Sequence, residues 1–71
     1  MSMYRRIRDL REDRDITQKE IAGILSCSQR VYSDYECGKL DIPTEILIKL
    51  SRFHCVSVDY ILGLTDKKEP Y

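Results

Sequence analysis

The sequence has no tryptophan, only three glycines and two prolines, and a single histidine among its 71 residues. Because glycine and proline interrupt helices, their scarcity leaves most of the chain free to be helical. One histidine, no clustered carboxylates and no glycine-rich phosphate loop argue against an enzyme. A chain of this length is expected to fold as one domain, which leaves little room for a substrate pocket.

The cysteines are few, widely spaced and odd in number: Cys27, Cys37 and Cys55 form no CxxC motif. A disulfide framework needs pairs in a secreted chain, and a zinc site needs about four clustered ligands. The sequence therefore predicts free thiols, no metal and no cofactor. His54 lies at the end of a predicted helix, where we expect it to complement the helix dipole.

The chain also lacks a long apolar run and an excess of charge of either sign. No stretch approaches the roughly 20 apolar residues of a membrane span, and the start has no signal-peptide pattern. We therefore expect a cytoplasmic protein without membrane association. Twelve Lys and Arg balance twelve Asp and Glu. Since DNA-binding domains are usually basic, any positive DNA-facing surface must be local.

Helical periodicity and capping signals predict five short helices. Thr17 and Glu20 form a capping box, in which each side chain accepts a hydrogen bond from the other residue's backbone amide. Ser28 and Ser57 are suited to the N-caps of the third and fifth helices. Gly38 suits the left-handed residue that ends the third. The predicted helices cover residues 4–14, 18–25, 29–36, 44–54 and 58–62.

The connection between the second and third helices has only two or three residues, which favours the steep crossing of a helix-turn-helix. Five short helices with short connections predict an all-α domain over residues 1–65, followed by a flexible tail over 66–71. The helical spacing of the apolar residues predicts that one set of side chains points into the interior. This predicted core contains Ile21, Leu25, Tyr32, Tyr35, Leu50 and Phe53.

Three stretches carry a resemblance to a known family: IRDLREDRDITQKEIA, SQRVYSDYECGK and IKLSRFHCVSVDYILG. In this order and spacing they resemble the phage-repressor/Cro-type (XRE) helix-turn-helix proteins. The resemblance covers residues 7–63, about 80% of the chain. It implies a compact five-helix bundle of the lambda-repressor-like type. It also implies a DNA-binding transcriptional regulator, typically a repressor, that binds palindromic double-stranded DNA as a homodimer.

Two departures from the family pattern concern turns. The family often has glycine where this chain has Ser26 and Cys55. A residue other than glycine in a left-handed conformation costs on the order of 1 kcal/mol. We therefore expect either some strain or different turns at these two positions.

The resemblance implies base contacts from the first half of the third helix, by Gln29, Arg30, Ser33 and Asp34. Gln can bond adenine, Arg can bond guanine, and a carboxylate can accept from cytosine N4. Asp34 departs from the basic or amide residues that are common at its position. Three roles of Asp34 remain open: contact with cytosine, pairing with Arg30, and repulsion of the wrong DNA.

Further roles follow from the same resemblance. Phosphate contacts are expected from Gln18, Ser28, Lys39 and Thr44. Arg11 and Glu36 match a structural ion pair that connects the first and third helices.

A second hypothesis is a protein-interaction module, such as an antitoxin or adaptor, on the same fold. The zero net charge and Asp34 favour it. The candidates for the contact with a protein partner, or for a homodimer seam, are then the tail over residues 64–71 and the apolar residues Tyr60, Ile61 and Leu64.

Overall fold

The computed structural model describes residues 5–68. Its helices are α1 (Arg5–Asp13), α2 (Gln18–Ile24), α3 (Gln29–Cys37), α4 (Thr44–His54) and α5 (Val58–Ile61). The all-α class is confirmed, and the described residues contain no strand. Each boundary lies within one residue of its prediction, although Tyr4, in the predicted first helix, is outside the described residues. No described helix is long and apolar enough to cross a membrane.

Side-chain caps begin three of these helices. The predicted capping box of α2 is present, with the Thr17 hydroxyl accepting from Glu20 N and the Glu20 carboxylate accepting from Thr17 N. Ser28 caps α3 by accepting from Val31 N at 3.1 Å, and Ser57 caps α5 by accepting from Tyr60 N at 3.0 Å. These bonds satisfy amides that have no partner within their own helix, which fixes where each helix starts.

One apolar core joins all five helices, and Tyr32 and Tyr35 of α3 are buried in it as predicted. Phe53 is only partly buried and packs against its edge. Helix α3 packs against α1 and α2, while α5 packs against α1 and α4. The buried members are Ile7, Leu10, Ile21, Ala22, Leu25, Tyr32, Tyr35, Ile42, Leu50, Val56 and Ile61.

Left-handed residues close the turns between helices. Ser26 (φ 59°) lies in the short α2–α3 connection, and Cys55 (φ 55°) ends α4, so of the two alternatives both positions keep the left-handed geometry without a glycine. Asp15 (φ 58°) adds a third such position between α1 and α2. Gly38 (φ 77°) ends α3 as predicted, at no steric cost.

A buried ion pair connects α1 to α3. The Arg11 guanidinium donates to both carboxylate oxygens of Glu36, from Nε at 2.7 Å and from Nη2 at 3.3 Å. Its Nη1 also donates to the carbonyl of Ile16, at 2.9 Å. The two side chains are only 13% and 4% exposed, so each charge depends on the other for compensation.

Arg6 connects the start of α1 to the segment after α5. Its guanidinium donates to the carbonyls of Tyr60 and Thr65 and pairs with Asp66 at 2.9 Å. The Lys68 carbonyl accepts from Ser57 N at 3.0 Å. The beginning of the predicted flexible tail, residues 66–68, therefore contacts the helical domain, whereas residues 69–71 lie outside the described residues.

His54 is buried at the end of α4, and neither ring nitrogen has a hydrogen-bond partner. Burial, together with the positive charge of Arg14, lowers its pKa to about 4. The imidazole is therefore neutral at pH 7, so the expected role as a cation complementing the helix dipole is wrong. The histidine is instead part of the packing, with its ring edge-on to Phe53 at 4.9 Å between centroids.

The burial of His54 predicts a pH-dependent stability. Because its pKa is lower in the folded chain than in the unfolded chain, the unfolded state binds the extra proton first as pH falls from about 6.5 to 4. We expect the free energy of unfolding to fall by about 2 kcal/mol between about pH 7.5 and 5. His54 is the one histidine in the sequence, so urea unfolding of a His54→Leu variant should be nearly independent of pH in this range. Equal pH dependence in both proteins would contradict the assignment.

The buried ion pair predicts non-additive mutational effects. Arg11→Met or Glu36→Met alone leaves one uncompensated charge and should lower the free energy of unfolding by about 3 kcal/mol or more. The double variant should lose less than either single variant. The exposed pair of Arg8 and Glu12 on α1 provides the control, because its removal by the same substitutions should have a much smaller effect. Additive losses at Arg11 and Glu36 would show that the pair is not coupled.

Candidate nucleic-acid interface

The first half of α3 presents polar side chains on an open surface. Gln29 and Arg30 follow the Ser28 cap and are exposed, and Ser33 and Asp34 lie one turn further along and are half-buried. These four side chains and Gln18 of α2 line one shallow concavity of about 490 Å³. The structure thus brings together all four predicted base-contacting residues and one predicted phosphate-contacting residue.

Arg30 and Asp34 are four residues apart on this helix, a spacing at which opposite charges often pair. The ion pairs among residues 5–68 join other residues, so the pairing considered from the sequence is absent there. The backbone of Asp34 is engaged, because its carbonyl accepts from Gly38 N and Lys39 N at the end of α3. Asp34 itself lines the concavity.

Gln18 begins α2, and its side chain is held by the buried ion pair. Its Nε2 donates to Glu36 Oε1 at 3.1 Å, which uses one of the two amide hydrogens. The second hydrogen and the carbonyl oxygen stay available for a ligand. One carboxylate thus links the first residue of α2 to α3, in addition to the apolar packing between the two helices.

The Glu36 carboxylate is charged despite its environment. Burial opposes its ionisation, but hydrogen bonds from Arg11 and Gln18 outweigh this effect and keep its pKa below the ordinary value. The buried Tyr32 hydroxyl also lies close enough to favour the ionised form, although the two groups do not reach hydrogen-bond geometry. A charged Glu36 at neutral pH is what holds Arg11 and Gln18 in place.

Three further predicted phosphate-contacting residues lie outside the concavity, at helix ends. Ser28 precedes α3, Lys39 follows its end, and Thr44 begins α4; all three are exposed. The Ser28 hydroxyl accepts from Val31 N, so its own hydrogen remains available to donate to an acceptor. Capping and anion contact are therefore compatible at this residue.

The apolar residues considered for a partner seam differ in accessibility. Ile61 is fully buried and belongs to the core. Tyr60 is half-buried, with the Arg6 guanidinium 4.2 Å from its ring centroid. Leu64 is 73% exposed and is the one member of this set that offers a free apolar side chain.

The three cysteines are free thiols. Cys27 is half-buried, and burial raises its pKa, whereas Cys37 and Cys55 are exposed. No group of three or more His, Cys, Asp and Glu side chains in the described part of the chain is arranged to hold a metal ion.

Comparison with known proteins places these features in a family. A family model described as helix-turn-helix matches residues 7–61. The HTH-type regulator YobD of Bacillus subtilis is 39% identical over 69 residues, which cover 96% of this chain and 62% of YobD. The B. subtilis regulator ImmR is 40% identical, covering 89% and 50% of the two chains. The phage CTXphi repressor RstR of Vibrio cholerae is 36% identical, covering 75% and 48%.

The chain therefore spans about half to three fifths of the length of these relatives. Among solved structures, it is similar to the P22 c2 repressor in complex with a synthetic operator. The TM-score is 0.79 and the identity 29%, with 87% of this chain and 94% of that chain covered. The capped α2–α3 unit, the five-helix fold and these matches show that the chain belongs to the helix-turn-helix family, of the XRE type.

Proposed function

We propose that this chain is a sequence-specific DNA-binding transcriptional regulator that acts as a repressor and places α3 in the major groove. The concavity at the first half of α3 carries the proposal, since its five polar side chains form an open surface. In helix-turn-helix proteins, the first residues of the recognition helix contact base edges. The relatives named as regulators and the operator complex of the P22 c2 repressor support the same role.

The contacts divide into two kinds. Gln29, Arg30, Ser33 and Asp34 face the bases in this proposal. Gln18, Ser28, Lys39 and Thr44 face the phosphates, which position the protein without selecting sequence. Because the relatives are transcriptional regulators of bacteria, we place the protein in the cytoplasm. We propose no enzymatic activity, because the family and its relatives are regulators of transcription.

Two copies acting together would match a palindromic operator. A protein dimer with two-fold symmetry requires half-sites whose centres lie about 10 base pairs, or a multiple of this, apart. Analytical ultracentrifugation with and without the operator tests this part of the proposal. A footprint with a single half-site would remove the dimer while leaving DNA binding in place.

A second candidate function is docking of a protein partner on the same fold. Leu64 favours it, because a largely exposed leucine at the end of the helical domain is available for an apolar contact. Under this alternative, Leu64→Ser would abolish co-purification of a partner in stoichiometric amount and leave DNA binding unchanged.

Selection of binding sites from a random duplex pool tests the main proposal. We expect an enriched motif with related half-sites, and an affinity that falls with salt at a log–log slope of about −2 or steeper for two bound copies. The slope is modest because Lys39 is the one cation among the predicted phosphate contacts. No enriched motif and no salt-dependent binding from a correctly folded chain would remove the DNA-binding proposal and favour the interaction module.

Two substitutions separate base contact from phosphate contact. Arg30→Ala should remove the preference at one base position, usually a guanine, with a loss of about 1–3 kcal/mol on the best site. Lys39→Ala is the matched control: it should weaken binding to all duplexes alike and reduce the salt slope by about 1 per copy. An unchanged motif with Arg30→Ala would contradict the role given to Arg30.

A further inference from the structure

Asp34 is unusual on a surface that is proposed to approach DNA, because a carboxylate repels phosphates. Its side chain lines the concavity with Gln18, Gln29, Arg30 and Ser33. It forms no ion pair with Arg30 or with any other cation in the range 5–68. The carboxylate is therefore not held in an ion pair within the described structure, and a ligand in the concavity lies next to a negative charge.

The hydrogen-bonding capacity of a carboxylate limits what it can contact in the major groove. An ionised carboxylate only accepts hydrogen bonds. Guanine presents two acceptors and thymine one, so both are disfavoured next to it. Adenine presents a donor beside an acceptor at N7, whereas cytosine presents its N4 amino group alone. Cytosine is thus the base whose major-groove edge is complementary to Asp34.

From this arrangement we infer that Asp34 is a specificity-determining residue, which requires a cytosine at one position of each half-site and excludes guanine and thymine there. The inference rests on the proposed function and defines the target of its DNA-facing helix. Most of this discrimination comes from the exclusion of wrong bases. A wrong base leaves the carboxylate facing an acceptor, while the right base offers a donor.

The charge of Asp34 has opposite effects on the affinity for unrelated DNA and on the discrimination between DNA sites. Removing it should strengthen binding to unrelated DNA, because one repulsion with the phosphates is lost. It should also weaken discrimination between the best site and its variants. If Asp34 served only the fold, its removal would change the affinity for the best site and the affinity for unrelated DNA in the same direction.

Site selection with wild type and Asp34→Asn tests the inference. Asparagine has nearly the same shape but combines a donor amino group with an acceptor oxygen, which suits adenine N7 and N6. We expect the wild-type motif to contain cytosine at one position, and the variant motif to lose cytosine and gain adenine there. Discrimination against guanine at this position should fall by about fivefold or more, the lower end of what one base contact contributes.

Glu45→Gln provides the matched control. Glu45 is an exposed carboxylate in the first turn of α4, next to the predicted phosphate contact Thr44. Its substitution removes the same charge and should raise affinity for all duplexes alike without changing the motif. Thermal unfolding of each variant verifies folding, and Asp34→Ser, which lacks the charge but keeps a small polar group, replaces Asp34→Asn if that variant unfolds.

Each outcome is decisive. A cytosine position in the wild type that is lost in Asp34→Asn and kept in Glu45→Gln supports the inference. Selective binding by the wild type with the same motif in Asp34→Asn overturns the inference and leaves the proposed function intact. No motif in either folded protein removes the proposed function and the inference with it.

Discussion

The carboxylate of Glu36 is the group on which the arrangement of the first three helices depends. It belongs to α3, accepts from Arg11 of α1, and accepts from Gln18 at the start of α2. Through Arg11 it also reaches the Ile16 carbonyl, next to the Thr17 cap of α2. Apolar packing is not directional, and related core arrangements differ little in free energy. A charge that tolerates only one set of partners distinguishes among them.

This dependence connects stability to the proposed binding surface. The side chain that contributes to the concavity from α2 is bonded to the same carboxylate that ties α3 to α1. Gln18 of α2 is therefore held beside the exposed face of α3 only when the Glu36 carboxylate has its correct place in the interior. A partly folded chain would present an incomplete surface, so binding and folding share one structural condition.

Much of the fold was accessible from the sequence because local chemistry determines it. The Thr17–Glu20 box, the Ser28 and Ser57 caps and Gly38 each act over about three residues, so the pattern predicted the helix boundaries to within one residue. The left-handed geometry at Cys55 was one of two alternatives that the sequence left open, because the resemblance marks that position as one where glycine is common.

What the sequence did not reveal depends on distant partners. The bond from Gln18 to Glu36 joins residues 18 positions apart, and the contacts of Arg6 with the segment after α5 span 54 to 60 positions. No periodicity encodes such pairs. His54 illustrates the same limit, since its place in the helix was correct but its burial, and hence its neutral state, follows from tertiary packing. The base and phosphate contacts remain predictions.

The near balance of charge among the proposed DNA contacts has a kinetic consequence. Of these eight residues, Arg30 and Lys39 are cationic and Asp34 is anionic. Attraction to any stretch of DNA comes mainly from cations that displace counterions, and this attraction allows a protein to slide along the duplex. If the proposed function holds, this weak attraction means that a bound copy leaves unrelated DNA quickly and searches for its operator mainly through solution. Occupancy of the operator then depends on how long the base contacts persist once they form.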